Sequence, residues 1–449
     1  MIDDLLNILA ASCQLFIQLI TSPLYNGLEE FIYKFVPFVL FFELPLYIMI
    51  WLGIIRYYLR SHNLVPVKSH FNPMVSCIVL CYSEGDEVKN TIISLTEQLY
   101  PGQIEILAMI DGAGKNIDTY NAAMSMQSLV SRRANRRLRV IPKWQRGGRV
   151  SSLNAGLSLS EGVIVMALDG DTSFDNTMVQ KAVPHFADPN VVGVAGNLRV
   201  RNFRKSIITR LQALEYMLSI HAAKIGLSEF NVVNNISGAF GIFRKSMLET
   251  IGGWDSGTAE DLDMTLKLKG YFGRNPQMRI VFEPGAMGHT DVPETFFGLL
   301  DQRLRWDGDL YYLYVRKRRQ SFNHRIIGVR NLLMTMWAGL FFQLVMPMMI
   351  IVYTCYSFFL YPPAFVIGLS MVIYLLYFII VIIFFTIYII MVSERKEQDL
   401  SLAFLLPLLP VFFFVLRLWS GIATLKELTL KTHLDSSMAP WWVLKRTKF

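Results

Sequence analysis

The sequence predicts an α/β domain, with a mostly parallel, doubly wound sheet, inserted between transmembrane α-helices. Three observations predict it. Residues 331–393 contain no Asp, Glu, Lys, Arg or His, a stretch long enough for two bilayer spans at about 20 residues each. Residues 60–325 have ordinary soluble composition, and within them apolar runs of strand length alternate with helical periodicity. The whole chain is 53% hydrophobic and only 17% charged, whereas soluble domains average roughly 45–50% and about 25%.

The elements follow in order. Residues 5–20, "LLNILAASCQLFIQLI", are short and dotted with polar groups, and read as a span, an interfacial helix or a signal-like segment. No small-residue cleavage site precedes Leu24. Phe35 to Ile55 carries one charge, Glu43, and reads as a span. Strands are expected at "MVSCIVLCY" (74–82), "IEILAMID" (104–111), "RLRVIPK" (137–143) and "VIVMALD" (163–169). Helices are expected at "DEVKNTIISLTEQL" (86–99) and "RVSSLNAGLSLS" (149–160). The uncharged region splits into two spans near "YPPAF", and Leu400 to Leu425, interrupted by Pro407, Pro410 and Arg417, is a third candidate. The organisation is then N-terminal spans over 1–60, a soluble domain over 61–295, interfacial amphipathic helices over 296–330, a transmembrane bundle over 331–430 and a basic tail over 431–449.

Charge sets the orientation. Arg56 and Arg60 end one span and "VRKRRQSFNHR" precedes the next, which places the central domain on the cytoplasmic side. The Lys and Arg of the tail also favour the inside, in conflict with three successive crossings. The net charge of +8 reads as attraction to a membrane surface rather than to nucleic acid. The run "SRRANRRLR" has no interleaved aromatics and reads as a solvated helix end. Cys77 and Cys81 share one strand face as core residues, and Cys13 and Cys355 lie in apolar segments.

The strand ends carry the chemistry. Ser83 and Glu84 follow the first strand, Asp111 ends the second, and Asp169-Gly170-Asp171 follows the fourth, inside "ALDGDTSFD". A polar turn explains such residues singly. In a doubly wound sheet, however, the carboxyl ends of the strands meet at one ligand crevice. The chain has no G-x-G-x-x-G after its first strand and no P-loop motif. What remains is a nucleotide diphosphate held through Mg²⁺ or Mn²⁺ on paired carboxylates. Downstream, "SGTAEDLDMTLKLKGY" puts Glu260 and Asp261 at a helix start, where an acidic cap is the ordinary explanation. "NNISGAFGIFRKS" is a Gly-rich turn entering a strand, which lets a ligand approach the backbone, and its Gly238, Ala239 and Phe240 are expected to meet the acceptor. "QRLRWDGD" sets Gln302, Arg303, Arg305 and Trp306 on an amphipathic stretch before the membrane.

Together these motifs resemble the processive, membrane-embedded family-2 glycosyltransferases: cellulose, chitin and hyaluronan synthases and, nearest, the catalytic subunits of bacterial poly-N-acetylglucosamine synthases. The resemblance runs from about residue 30 to 430 through "GNLRVRN", "ISGAFGIFRKSML", "AEDLDMTLKLKGY", "PET", "QRLRW" and "SERKEQDLSLAFLLPLLPVFFF". It implies a GT-A-type nucleotide-sugar domain. It also implies that Ser83, Glu84 and Asp111 hold the uridine, Asp169 supports the nucleotide, Asp171 binds the metal, and Asp261, beside Glu260, is the general base. Gln302, Arg305 and Trp306 fall on the family's Q-x-x-R-W. Three departures stand out: Arg149 in "RGGRV" replaces a usual lysine, Ala259 replaces a common threonine, and Asp307 and Asp309 follow the tryptophan.

The expected reaction is inverting transfer from a UDP-sugar, UDP-N-acetylglucosamine foremost, to a growing β-linked polysaccharide. Arg149, Arg303 or Arg305 would stabilise the diphosphate and Trp306 would offer a flat face to the acceptor. A UDP-glucose-using β-glucan synthase and a non-processive transferase acting on a lipid phosphate are the alternatives, with a nucleotide-sensing transporter or receptor behind them. The lipid bilayer is an expected partner, a small membrane accessory subunit is compatible with the resemblance, and nucleic acid is not expected. Glu43 and Arg417, as lone intramembrane charges, are expected to line the route of the emerging polymer or to snorkel towards the headgroups.

Overall fold

The computed structural model describes residues 39–63, 70–255, 259–308 and 310–430, together with Gln14. The 5–20 segment, Gln14 apart, and the 431–449 tail, with their expected roles, lie outside the described residues.

The four expected strands form within one residue of the positions read from the sequence: β1 (Val75–Cys81), β2 (Ile104–Asp111), β3 (Arg136–Lys143) and β4 (Ile164–Asp169). Every residue of β1 and β2 is buried, as expected of parallel strands covered on both faces. Four more strands follow, β5 (Ser173–Phe174), β6 (Val191–Val200), β7 (Phe240–Arg244) and β8 (Arg279–Thr290), giving the order β3-β2-β1-β4-β7-β6-β8-β5. The first half of the sheet is parallel. Beyond β4 it is mixed: β7 runs antiparallel to β4 and β6, β6 parallel to β8, and β5 antiparallel to β8. The expectation of a mostly parallel sheet therefore holds for one half only. The other half escapes periodicity because β6 and β8 carry glycines, Pro284 and two register shifts instead of plain apolar runs.

The arginine run is a solvated helix end only over residues 131–134, which are exposed after a helical turn ending at Val130. Arg136 opens β3 and donates to the carbonyls of Gln98, Tyr100, Gly102 and Asn135. Arg139 pairs with the buried Glu105 at 2.9 Å.

Four helical segments are long and apolar enough to cross a membrane: Phe41–His62, Val329–Leu360, Pro363–Met391 and Ala403–Leu430. The first overlaps α1 (Leu44–Asn63). The last begins as a tight turn through Pro407 and becomes regular at Leu409, with Pro410 in its first turn, where no intrahelical donor is needed. In the soluble domain α2 (Glu87–Thr96) and α3 (Gly148–Leu159) cover the sheet as expected. A long helix enters as α4 (Ile207–Glu215), passes through a π-turn at 216–222 and leaves as α5 (Ala223–Glu229). At Gly53 and Gly226 the backbones of α1 and α5 touch, since a Cβ on either glycine would collide with main chain of the other helix. Glu229 takes Arg60 at 2.5 Å and Arg56 at 3.4 Å. The first span is thereby joined to the soluble domain.

Candidate active site

The crevice at the carboxyl ends of β1 and β4 is built around Gly170. Its N–H donates to the Leu80 carbonyl at 2.9 Å and its carbonyl accepts from Thr91 Oγ1 at 2.8 Å. A Cβ here would stand 2.6 Å from the Leu80 oxygen and 3.3 Å from the Glu84 carboxyl carbon. Glycine is therefore the residue that leaves room for Glu84, whose carboxyl feels the charges of Asp171 and Asp169. Burial, opposed by backbone hydrogen bonds and aided by the charge of Asp171, pushes the Glu84 carboxyl up to about 7. Burial and then the charge of Asp169 raise that of Asp171. Glu84 Oε2 is buried with no partner. The Asp171 carboxylate and the orphaned Glu84 oxygen suit a divalent cation. Among the described residues no three His, Cys, Asp or Glu groups form a metal cage on their own, so a bound ligand's oxygens would complete the coordination. Ser83, next to Glu84, has φ of 70° and donates its N–H to Asn116 Oδ1 at 3.1 Å.

Asp175, the third aspartate of "ALDGDTSFD", points elsewhere. It pairs with His289 at 2.8 Å and Arg395 at 3.3 Å, and the His289 hydrogen bond lowers its pKa.

Asp111 does not offer its carboxylate to the crevice. It accepts from Lys143 Nζ at 2.9 Å and from the N–H groups of Gly147 and Gly148 at 2.8 and 2.9 Å. This clamps the turn before α3, where Gly148 has φ of 79°, and the turn aims Arg149. Arg149 then joins three motifs: Nη1 reaches Asp169 at 2.5 Å, Nη2 reaches the Gly238 carbonyl at 2.7 Å, and Nε donates to Glu260. Burial opposes its charge, yet Asp169 and Glu260 hold its pKa above the ordinary arginine value. A lysine could not span this geometry, because it lacks the planar fork.

Glu260 and Asp261 begin α6 (Glu260–Lys269) as expected. Burial pushes the Glu260 carboxyl up to about 7 against the pull of Arg149. Asp261 Oδ2 accepts from Asn235 Nδ2 and from the Gly238 N–H, both at 3.0 Å, and Oδ1 accepts from the Leu262 N–H at 2.7 Å. A Cβ on Gly238 would stand 2.9 Å from Glu260 Oε1, so the Gly-rich turn is what lets the two acids approach. Ala239 contributes its backbone, accepting from the Asp169 N–H at 3.3 Å. Phe240 is fully buried in β7 against Phe174. It is a core residue, not an acceptor surface. Asn235 was not singled out from sequence, although it lies within "NNISGAF", immediately before the turn.

Gln302, Arg303, Arg305 and Trp306 lie on α7 (Phe296–Gly308). Trp306 is 43% exposed, while Gln302 Oε1 is buried without a partner. Arg303 is not free for a diphosphate, because its Nη2 sits 2.6 Å from Glu215 Oε2 and its guanidinium 4.7 Å from the Trp306 ring centroid. Arg305 is exposed and remains the available cation of this helix. Asp307 accepts from Ser420, and Asp309 lies outside the described residues. The helix headed by Asp261 packs Leu262 and Leu266 on Leu310, Leu313 and Tyr314. The Tyr314 hydroxyl in turn lies against Gly339 of a candidate span. Asp263 takes Lys317 at 2.8 Å and Arg318 at 2.5 Å, a brace that the sequence did not reveal.

This arrangement can be set beside known proteins. The family description "Glycosyl transferase family group 2" matches residues 164–415. The chain is 30% identical over 277 residues to a poly-beta-1,6-N-acetyl-D-glucosamine synthase of Staphylococcus epidermidis, covering 60% of this chain and 64% of that protein. A protein of the same name from Staphylococcus aureus (strain MSSA476) is 31% identical over 236 residues, 52% of this chain and 53% of its own. These matches leave at least a third of each relative's length uncovered. Among solved structures, a mannosyltransferase from Pyrobaculum calidifontis in complex with GDP-Man and Mn²⁺ superposes with a TM-score of 0.51 at 17% identity. That likeness, covering 86% of this chain and 99% of the other, is one of fold, and the fold is GT-A-like.

Proposed function

The chain belongs to glycosyl transferase family group 2, and on that premise we propose that it polymerises N-acetylglucosamine from UDP-N-acetylglucosamine into a β-linked polysaccharide. The polymer would leave through the enzyme's own membrane helices, with the catalytic domain on the cytoplasmic face. The observation that carries this reading is the Arg149 bridge between Asp169 and Glu260. It unites the donor-side and acceptor-side acids in one crevice. The names of the relatives support the sugar.

In this reading Ser83 and Glu84 face the nucleotide, while Asp111 acts through the Gly147–Gly148 turn. Asp171, with Glu84 beside it, would hold Mg²⁺ or Mn²⁺, which supplies charge stabilisation to the leaving diphosphate. Arg305 adds a positive charge there. Asp261 takes the acceptor hydroxyl proton, held in place by Asn235 and the Gly238 N–H. Direct displacement by that hydroxyl inverts the anomeric centre.

The test is sugar incorporation by purified protein in lipid nanodiscs, with labelled UDP-sugars supplied one at a time. UDP-N-acetylglucosamine should label a long polymer. Incorporation of glucose alone, or of one sugar onto lipid, would overturn the reading. Asp171→Asn should abolish transfer and weaken metal-dependent UDP binding, and full activity in EDTA would refute the role of the metal. Asp261→Asn should keep UDP affinity within about a few-fold yet lower turnover by roughly 10²–10⁴, the usual worth of a positioned base.

A further inference from the structure

Trp306 stands on α7 and is 43% exposed, and an indole offers a sugar acceptor a platform only if its plane is fixed. The guanidinium of Arg303, one turn earlier on the same helix, lies over the ring at 4.7 Å from the centroid. An arginine on a helix surface samples many rotamers. This one does not, because Glu215 at the end of α4 holds its Nη2 at 2.6 Å. Glu215 is only 8% exposed. The pairing uses one nitrogen, and Arg303 Nε is left buried and without a partner. A guanidinium free to choose would turn its edge to the carboxylate and bond through two nitrogens. Here it keeps its distance from the ring and satisfies the carboxylate with one.

The surroundings make Glu215 a fixed reference. Its helix starts with a capping box between Ser206 and Thr209. The same helix grips the loop that leads into α7, through Ser206 Oγ to the Glu294 carbonyl at 2.7 Å and Gln212 Nε2 to the Pro293 carbonyl at 2.8 Å. From the membrane side, Trp419 Nε1 donates to the Leu300 carbonyl at 2.8 Å and Ser420 donates to Asp307. The platform helix is therefore held between the soluble domain and the last candidate span; Glu215 is the carboxylate that bonds Arg303, whose charge is also felt by Asp307, itself held by Ser420.

We propose that Glu215 is a positioning residue that fixes the plane of the Trp306 indole through Arg303 and so sets the affinity for the acceptor end of the chain. This rests on the function proposed above. It assigns Arg303 to the platform rather than to the diphosphate, and it makes a definite separation: loss of Glu215 should weaken acceptor binding and spare the nucleotide.

Two measurements on full-length protein in nanodiscs test it. The first uses a β-1,6-linked N-acetylglucosamine hexasaccharide as acceptor with UDP-N-acetylglucosamine as donor. Glu215→Gln should raise KM for the hexasaccharide about tenfold, leave UDP affinity within about twofold, and add nothing further in a Trp306→Ala background. Arg303→Lys, which keeps the charge but not the planar stack, should reproduce the split. An equal effect of Glu215→Gln in the Trp306→Ala background, or a parallel loss of UDP affinity, overturns the proposal. The second measurement needs no substrate. Acrylamide quenching of the Trp306 contribution, taken as the difference from Trp306→Phe, should rise in Glu215→Gln. Unchanged quenching overturns the inference. Wild-type protein that transfers no sugar would instead overturn the function reading and leave the quenching result to decide the role of Glu215.

Discussion

Glu260 shows how one residue ties the chemistry of the crevice to the stability of the fold. Its carboxyl, pushed up to about 7 by burial against the ordinary 4.5, keeps a proton that the unfolded chain has already released. Between those values the native state binds more protons, so stability falls as pH rises across that window and is level above about 7. Glu260→Gln should reduce this dependence, which Glu84 shares through its own raised carboxyl, measured as melting temperature from pH 4.5 to 7.5 in nanodiscs. An unchanged slope would show that another group carries it. The identity of this acid was legible in "AEDLD", as were those of Asp169, Asp171 and Asp261, because acids at strand ends and helix starts are where a doubly wound domain collects ligands. Their partners were not legible. Arg149 lies 111 residues from Glu260, and Asn235 lies 26 from Asp261. Nothing in local sequence states that a guanidinium will reach three acceptors. Nor does it state that Asp111 will be consumed by its own Gly-Gly turn, or that Arg303 will belong to Trp306.

At the scale of elements, what could be read depended on burial pattern. β1, β2 and β4 are buried almost throughout, so each is a largely apolar run, broken only by Ser76 in β1 and Glu105 in β2 before the terminal acids of β2 and β4, that punctuation delimits. β6 is equally buried but reads "VVGVAGNLRV", and its glycines and polar residues hide it. Gly193 faces Ile236 and Gly196 faces the Phe240 ring, so these gaps exist to admit side chains from neighbouring segments. Packing made them, not strand propensity. The same logic governs the contact between α1 and α5. Gly226 meets the backbone of Ile50 with no room for a Cβ. Gly226→Val should force the two helices apart and cost about 1–3 kcal/mol as overpacking does. The check is denaturant unfolding alongside limited proteolysis. Equal stability and equal cleavage in the variant would mean that the helices can separate freely.

The whole molecule is closed by a contact that composition could locate at each end but not join. Glu43 and Arg417 each stand out as a lone charge in an apolar segment, and such charges are expected to line a polar path or snorkel. They do neither. Glu43 is fully buried, its Oε1 3.2 Å from Arg417 Nη1 and its Oε2 accepting from the Tyr377 hydroxyl at 2.6 Å. Arg417 Nη1 also meets Met346 Sδ at 3.0 Å. Four candidate spans thus meet at one ion pair: the first supplies Glu43, the second Met346, the third Tyr377 and the last Arg417. Its physics differs from that of a channel wall. Removing one partner leaves an uncompensated charge in an apolar bundle, at a cost of roughly 3–5 kcal/mol, whereas removing both together is often neutral. Glu43→Leu and Arg417→Leu should each lower the unfolding free energy in nanodiscs by about that amount. The double variant should recover most of the loss, with polymer length on a gel close to wild type. If the double variant unfolds like wild type yet makes short or stalled polymer, the pair faces the emerging chain and opens during synthesis. If instead the two single losses simply add, Glu43 and Arg417 are not coupled and the spans are held by apolar packing alone.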